Sequence, residues 1–431
     1  MYLVSLRELL DSINTGLDIY GWSTHGATTP VLMLSRAAAL RRGLCAARRL
    51  STQTAWVAAW GNNDQGRLGV DAASTHVTRP RRVCGLPDGV APLTVAAGGA
   101  HTLILLSSGE VYGCGLNDWS QLGCGGESHM QLPQLVPGLP ADVVRISAGS
   151  FHNLAVTRDG SLWVWGRNKE GQCGLGASAA SQVDVPMRVP LDEPIADIAA
   201  GSRHSLAVSQ AGQLYAFGAR ALLGLGGERW RLGPPTEHTP RLVRSLRGVH
   251  IRTIAAGIVH SAVACEDGYV YTFGEGAFSQ LGTGSDRAAA EPVRVPGLHG
   301  VAQLACGGLH TLALTHGGAT FSWGANEHGS LGLGDVEGPQ LRVPSLIPDV
   351  SLAQVSCGWK HSGGVSGSGS LFAWGWGGSM GEDMGSSGGQ LGLDNEYDYW
   401  VPERVPLDDG VVAQQVACGW NHTAAIFRRA G

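Results

Sequence analysis

SCGWKH, residues 356–361, and ACGWNH, residues 417–422, are two copies of one phrase: small, small, Gly, x, x, His. The phrase also occurs as AAGGAH (96–101), SAGSFH (147–152), AAGSRH (199–204), AAGIVH (255–260) and ACGGLH (305–310). Histidine therefore recurs at His101, His152, His204, His260, His310, His361 and His422. A second mark, aromatic-Gly, begins at Trp60, Trp165, Phe217, Phe273, Trp323 and Trp374, with Cys114-Gly115 in the remaining register. Turns such as NDWSQLG (117–123) and NEHGSLG (326–332) follow it. A third mark is Pro-x-x-Val, as in PQLV (133–136) and PVRV (292–295); repeat six departs from it, with Gln340 where the proline would stand.

Between the marks, apolar and polar residues alternate with period two, as in His310-Thr-Leu-Ala-Leu-Thr, which is strand patterning. A glycine at 109, 160, 212, 268, 318 or 369 stands five residues before the aromatic position and reads as a hairpin turn. The Pro-x-x-Val segment suits an outer strand, where a missing backbone donor is tolerated. Each repeat is then a four-stranded antiparallel sheet, and seven such units predict an all-β, seven-bladed β-propeller. The last copy ends after its His strand, HTAAIF (422–427), whereas WVAAWG (56–61) precedes any His strand, so N- and C-terminal strands are expected to share one blade and close the ring. The expected propeller spans 54–428, with repeats at about 55–108, 109–160, 161–211, 212–267, 268–317, 318–368 and 369–428.

Composition agrees with many tight turns: 65 Gly accompany 13 Trp and only 15% charged residues. The nine cysteines include no CxxC pair, so neither a zinc site nor a disulfide framework is expected, and reduced, buried thiols are. No apolar run approaches the roughly 18 residues of a membrane helix, so no membrane span is expected. A residue used in every blade does a job every blade has, and the histidines are expected to hydrogen-bond backbone that a tightly turned glycine segment would leave unpaired. No nucleophile with its base, phosphate loop or paired carboxylates stands in a unique place, so no catalytic residue, metal or cofactor is assigned.

The marks resemble those of the regulator of chromosome condensation repeat family: Gly-x-x-His-(Ser/Thr), hairpin glycine, Trp-Gly-x-Asn and Gln-Leu-Gly. The resemblance implies the propeller fold; as to function, it implies a choice, because members include exchange factors for small GTPases, chromatin binders, a plant ultraviolet-B photoreceptor and organelle RNA-biogenesis factors. Function then rests on what differs between copies. Only repeats six and seven put an indole after the glycine, at Trp359 and Trp420. In the photoreceptor the corresponding motif is Gly-Trp-Arg-His-Thr, but here Lys360 and Asn421 stand where its arginines would, and Gly308 where a third indole would be, so partner docking is expected rather than photochemistry.

Two loops exceed the repeat length, 218–240 with Arg229, Trp230 and Arg231, and 374–400 with Tyr397, Tyr399 and Trp400; these residues join Trp359, Lys360 and Trp420 as candidate partner contacts. Repeat three has no spare length for the projecting hairpin of the classical exchange factor. Without residues 1–50, 24 basic residues face 32 acidic ones, which disfavours broad nucleic-acid binding.

Residues 1–50 read as a leader. The segment 33–50 carries five arginines, and no acid occurs between Asp18 and Asp64, which is the composition of a transit peptide cut after Leu50, with Met33 as the working start. The expectation is a mitochondrial matrix, monomeric, non-enzymatic scaffold that supports organelle RNA processing, such as splicing of complex I transcripts, or mitoribosome assembly. Its partners would be proteins, with RNA reached through them. Nucleotide exchange on a small GTPase is the alternative.

Overall fold

In the computed structural model, which describes residues 55–72, 74–126, 128–227, 235–336, 338–379 and 388–430, each mark occupies one place in a four-stranded antiparallel sheet. Blades are numbered here by their histidines in chain order. Blade 1 runs Pro92–Ala97, His101–Leu106, Val111–Leu116 and His129–Leu135 from the axis outward. Blades 2 to 6 repeat that order, and blade 7 combines both ends of the chain, in the order His76–Arg82, Ala55–Asn62, His422–Arg429, Val411–Cys418. The expected seven-bladed, end-closed propeller is therefore what the chain forms. The repeats as delimited in the sequence start at the hairpin glycines, midway through a blade, and are out of phase with the sheets.

Apolar side chains lie between neighbouring sheets, where Trp60, Trp165, Phe217, Phe273, Trp323 and Trp374 are fully buried. Removing each ring from water contributes about 1.5–3 kcal/mol. The indole nitrogens of Trp60, Trp165, Trp323 and Trp374 donate to the carbonyls of Gln390, Gln121, Gln280 and Ser330, each on the turn of the preceding blade. The next glycine but one is the floor for the same ring. Gly282, at φ +67°, would put a Cβ 2.6 Å from Trp323 Nε1, so the turn tolerates no side chain. Gln-Leu-Gly is thus the socket for the next blade's aromatic.

The carbonyl at this turn position also serves the histidine of each blade, and here one expectation needs correction. The imidazoles do not bond backbone directly. His204 Nε2 meets Ser261 Oγ of the next blade at 2.8 Å, and that hydroxyl donates to the Leu222 carbonyl. His152–Ser205, His260–Thr311, His310–Ser362 and His361–Thr423 repeat the link at 2.8–2.9 Å, His101 uses Asn153 at 2.7 Å, and His422 returns to Thr102 at 3.0 Å. Since each hydroxyl spends its proton on a carbonyl, Nε2 must be the protonated nitrogen and Nδ1 the bare one. Beneath this ring lies a second of backbone alone. Gly99, Ser150, Ser202, Ile258, Gly308, Trp359 and Trp420 donate N–H to the axial glycine carbonyl of the next blade at 3.2–3.3 Å, the last reaching Gly98.

Two smaller differences have plain causes. Repeat six does carry the third mark, as Pro344-x-x-Ile347: Ile347 N donates to Thr320 O just as Val136 N donates to Val111 O. The isoleucine hid the match. Cys84 is disulfide-bonded, unlike the reduced thiol expected, whereas Cys114, Cys124, Cys173, Cys265, Cys306, Cys357 and Cys418 are free.

Candidate functional site

Because His101 pairs with Gly115 across its hairpin, the Gly-x-x loop and the loop after the third strand emerge at the same end of every blade. That end of the ring carries the residues between glycine and histidine, which differ from copy to copy. Trp359 and Trp420, both half-buried, stand on adjacent blades with ring centroids 6.2 Å apart. Trp359 meets the Trp376 ring edge-on at 6.2 Å, and Phe151 meets Trp420 edge-on at 5.5 Å. The Arg167 guanidinium covers Phe151 at 5.8 Å and Trp119 at 5.4 Å, so one aromatic run extends from blade 6 across blade 7 to the loops of blades 1 and 2.

Lys169 and Lys360 are the two lysines of the sequence, and both lie on this run. Lys169 Nζ is 4.6 Å from the Trp119 ring; Lys360 Nζ is 5.0 Å from Trp359 and 5.5 Å from Trp376. Ammonium over an indole face is worth about 0.5–2 kcal/mol, more as water is excluded. Burial lowers the pKa of Lys360, against the opposing pull of Glu327 and Asp398. Its ammonium is 3.4 Å from His328 Nε2, whose Nδ1 lies 2.9 Å from Asp398 Oδ2. With Nδ1–H donated to the carboxylate, Nε2 is free to accept from Lys360. Asp398 Oδ1 also accepts the Gly377 N–H, which fixes the whole chain of groups.

Of the sequence candidates, Trp359, Lys360 and Trp420 come together here. Tyr397 (73% exposed) and Trp400 (43% exposed) lie farther out on blade 6, and among the described residues no ring contact joins them to the run. The Tyr399 hydroxyl accepts from Asn395 Nδ2 at 3.0 Å, and the residue sits in the outer strand Tyr399–Arg404. Arg229, Trp230 and Arg231 lie outside the described residues. Phe151, Trp119, Trp376, Arg167 and Lys169 were missed. Phe151 was legible, since it fills the second x of SAGSFH where other copies carry Ala, Arg, Val, Leu, Lys or Asn.

On the axis, a cavity of about 70 Å³ is lined by the small residues of each copy together with Ile258, Trp359 and Trp420. Cys306, Cys357 and Cys418 are among the small residues of this lining. Burial pushes all three thiols up, Cys418 to about 12, so they are neutral and poor ligands or nucleophiles. Among the described residues no group of three or more His, Cys, Asp or Glu side chains could hold a metal ion, and no helix is long and apolar enough to cross a membrane.

Comparison with known proteins adds the following. The family profile described as the RCC1-like domain matches residues 56–425. The ultraviolet-B receptor of Arabidopsis thaliana is 31% identical over 83% of this chain and 78% of its own length. The regulator of chromosome condensation of Mus musculus is 31% identical over 88% of this chain and 92% of its own. The crystal structure of Prp20p from Saccharomyces cerevisiae, described with its binding to Gsp1p and histones, superposes with a TM-score of 0.76 at 25% identity, covering 89% of this chain and 93% of that one.

Proposed function

Since the chain belongs to the RCC1-like domain family, whose fold is shared by proteins of different activity, we propose that it acts by binding, as a scaffold that receives a protein partner on the end bearing Trp359 and Trp420. The observation that carries this reading is the aromatic run with both lysines of the sequence laid along it. Interfaces are enriched in aromatic residues and depleted of lysine at their cores, and clusters of half-buried Trp supply the few contacts that dominate affinity. The two lysines here are held over rings, so their side chains are already ordered before a partner arrives.

Trp359→Ala combined with Trp420→Ala should leave the near-ultraviolet signature of the remaining buried tryptophans and the monomeric state intact. It should lower capture of native partners by at least about tenfold, or 1.4 kcal/mol. Quantitative mass spectrometry of proteins retained by wild type and variant makes the measurement. Equal retention would overturn the reading.

The partners we propose are those of organelle gene expression, namely transcript splicing for complex I or mitoribosome assembly, in the mitochondrial matrix. What supports this is the acid-free, arginine-rich stretch between Asp18 and Asp64 together with the family's diversity. A fluorescent reporter fused behind residues 33–60 should enter mitochondria, and cytosolic fluorescence would sink the assignment. Nucleotide exchange is the second reading, favoured by the likeness to Prp20p, which binds Gsp1p. It expects the purified chain to speed release of a fluorescent guanine nucleotide from a small GTPase, and an unchanged release rate across the organelle's GTPases removes it.

A further inference from the structure

The chain carries more acids than bases, 35 against 30, yet the centre of the proposed docking end reverses that balance. The two residues between glycine and histidine in each copy form a disc around the axis: Gly-Ala, Ser-Phe, Ser-Arg, Ile-Val, Gly-Leu, Trp-Lys and Trp-Asn. The disc contains no carboxylate. Its charges are Arg203, exposed on blade 3, and Lys360, half-buried on blade 6, which stand on nearly opposite sides of a seven-membered ring. Acids at this end are found on the loops after the third strands: Glu170 pairs with Arg167 at 2.8 Å, Asp398 with His328 at 2.9 Å, and Glu327 with Asp398 already acts on Lys360 from the side.

Between the two cations is the axial cavity. At about 70 Å³ it far exceeds the space one water requires, and it is about half the ~150 Å³ of a cavity that accepts benzene. A depression of that volume, open at one end, suits an aliphatic side chain of Val to Leu size better than an aromatic ring. The wall is mixed, glycine backbone and small residues around most of it, but Ile258 on one side and Trp359 with Trp420 on the other give an aliphatic occupant apolar contacts.

Resting on the docking reading above, we propose that the disc binds an acidic segment of a protein partner, in which one aliphatic residue seats in the axial cavity and carboxylates on both sides of it pair with Arg203 and Lys360. The two cations define the spacing, and the cavity defines the register. Carboxylate pairing with the half-buried Lys360 ammonium is stronger than at an open surface, and the exposed Arg203 adds the weaker contact that orients the segment.

A random dodecapeptide library displayed on phage and panned on the whole chain tests this. Enriched clones should carry Asp or Glu on both sides of a single Val, Leu, Ile or Met. They should be retained at least tenfold less by the Arg203→Gln/Lys360→Gln double variant, whose fold is checked by near-ultraviolet circular dichroism. Synthetic peptides from those clones should bind more weakly as salt rises. Failure to enrich clones, enrichment without an excess of acids, an aromatic residue at the central position, or equal retention by the double variant would each overturn the proposal. If panning fails while the tryptophan double variant still loses native partners, the docking end stands and only its chemistry falls. If panning succeeds while native partners ignore the tryptophans, it is the docking reading that falls.

Discussion

Acidification from pH 7 to pH 5 should unfold this propeller in one steep step, with uptake of several protons. Burial lowers His101 and His310 to about 4 and His152, His204, His260 and His361 to about 3, and holds His422 well below its usual value. In the unfolded chain the same groups titrate near 6.5, so below that pH the unfolded state binds protons that the native state refuses. The contribution is fully present above about pH 6.5 and is lost as pH falls toward 4 or 3. Each histidine removes up to about 1.4 kcal/mol per pH unit, and seven of them together remove about 13 kcal/mol between pH 7 and pH 5. A whole domain is stable by only about 5–15 kcal/mol. The physical block is local: Nδ1 of His101, His152, His204, His260, His361 and His422 is buried without a hydrogen-bond partner, so an added proton would have no acceptor and the charge no water. Tryptophan fluorescence against pH should show a midpoint between about pH 5 and 6, and urea denaturation at several pH values should give the proton count. A fold that persists to pH 4, or a transition taking up fewer than two protons, would refute this account of the ring.

Gly257→Ala should cost at least about 3 kcal/mol, at or above the usual range for an overpacked site. The added Cβ would lie 2.6 Å from the Gly307 carbonyl oxygen of the next blade and 2.9 Å from His260 Cε1. Neither neighbour can withdraw. Gly307 O accepts the Ile258 N–H at 3.3 Å, and His260 is held by Thr311 at 2.8 Å, so relief of the clash breaks one ring or the other. Gly367→Ala is the matched control: nothing lies within 4 Å of its Cβ and its backbone is not left-handed, so it should be neutral or stabilising by about 0.4–1 kcal/mol. Chemical denaturation of the two variants separates the explanations, and equal stabilities would refute the steric role assigned to the axial glycine.

How much of this was legible in the sequence follows from where each residue's partner lies. The Gly-x-x-His phrase was enough for the blade number, and with the order of the aromatic-Gly and His strands at the two ends for closure, because it repeats in every blade. What the histidine touches was misread as backbone. The Ser, Thr or Asn after each histidine was in plain view, but its role depends on the histidine of another blade, 51 to 62 residues away in six links and 320 in the one that closes the ring, and on a carbonyl in a third segment. The docking end divides in the same way. Trp359 and Trp420 stood out as departures from register, whereas Trp119 and Lys169 belong to turns that differ in every copy, and only the fold brings them together. Arg167 could be read as a surface charge, yet its place over Phe151 and Trp119 depends on two blades meeting.

The blade built from both ends has a consequence for synthesis. Ala55–Asn62 leaves the ribosome early, but its inner neighbour His422–Arg429 is made about 360 residues later, with Gly61 opposite His422. At about 5–20 residues per second the first strand waits roughly 20–70 s for its partner. Throughout that interval Val57, Ala59 and Trp60, all buried in the finished ring, are without their final cover. Neither ring of hydrogen bonds can close until that last strand arrives, so the apolar face of the first strand stays uncovered through nearly the whole of the chain's own translation.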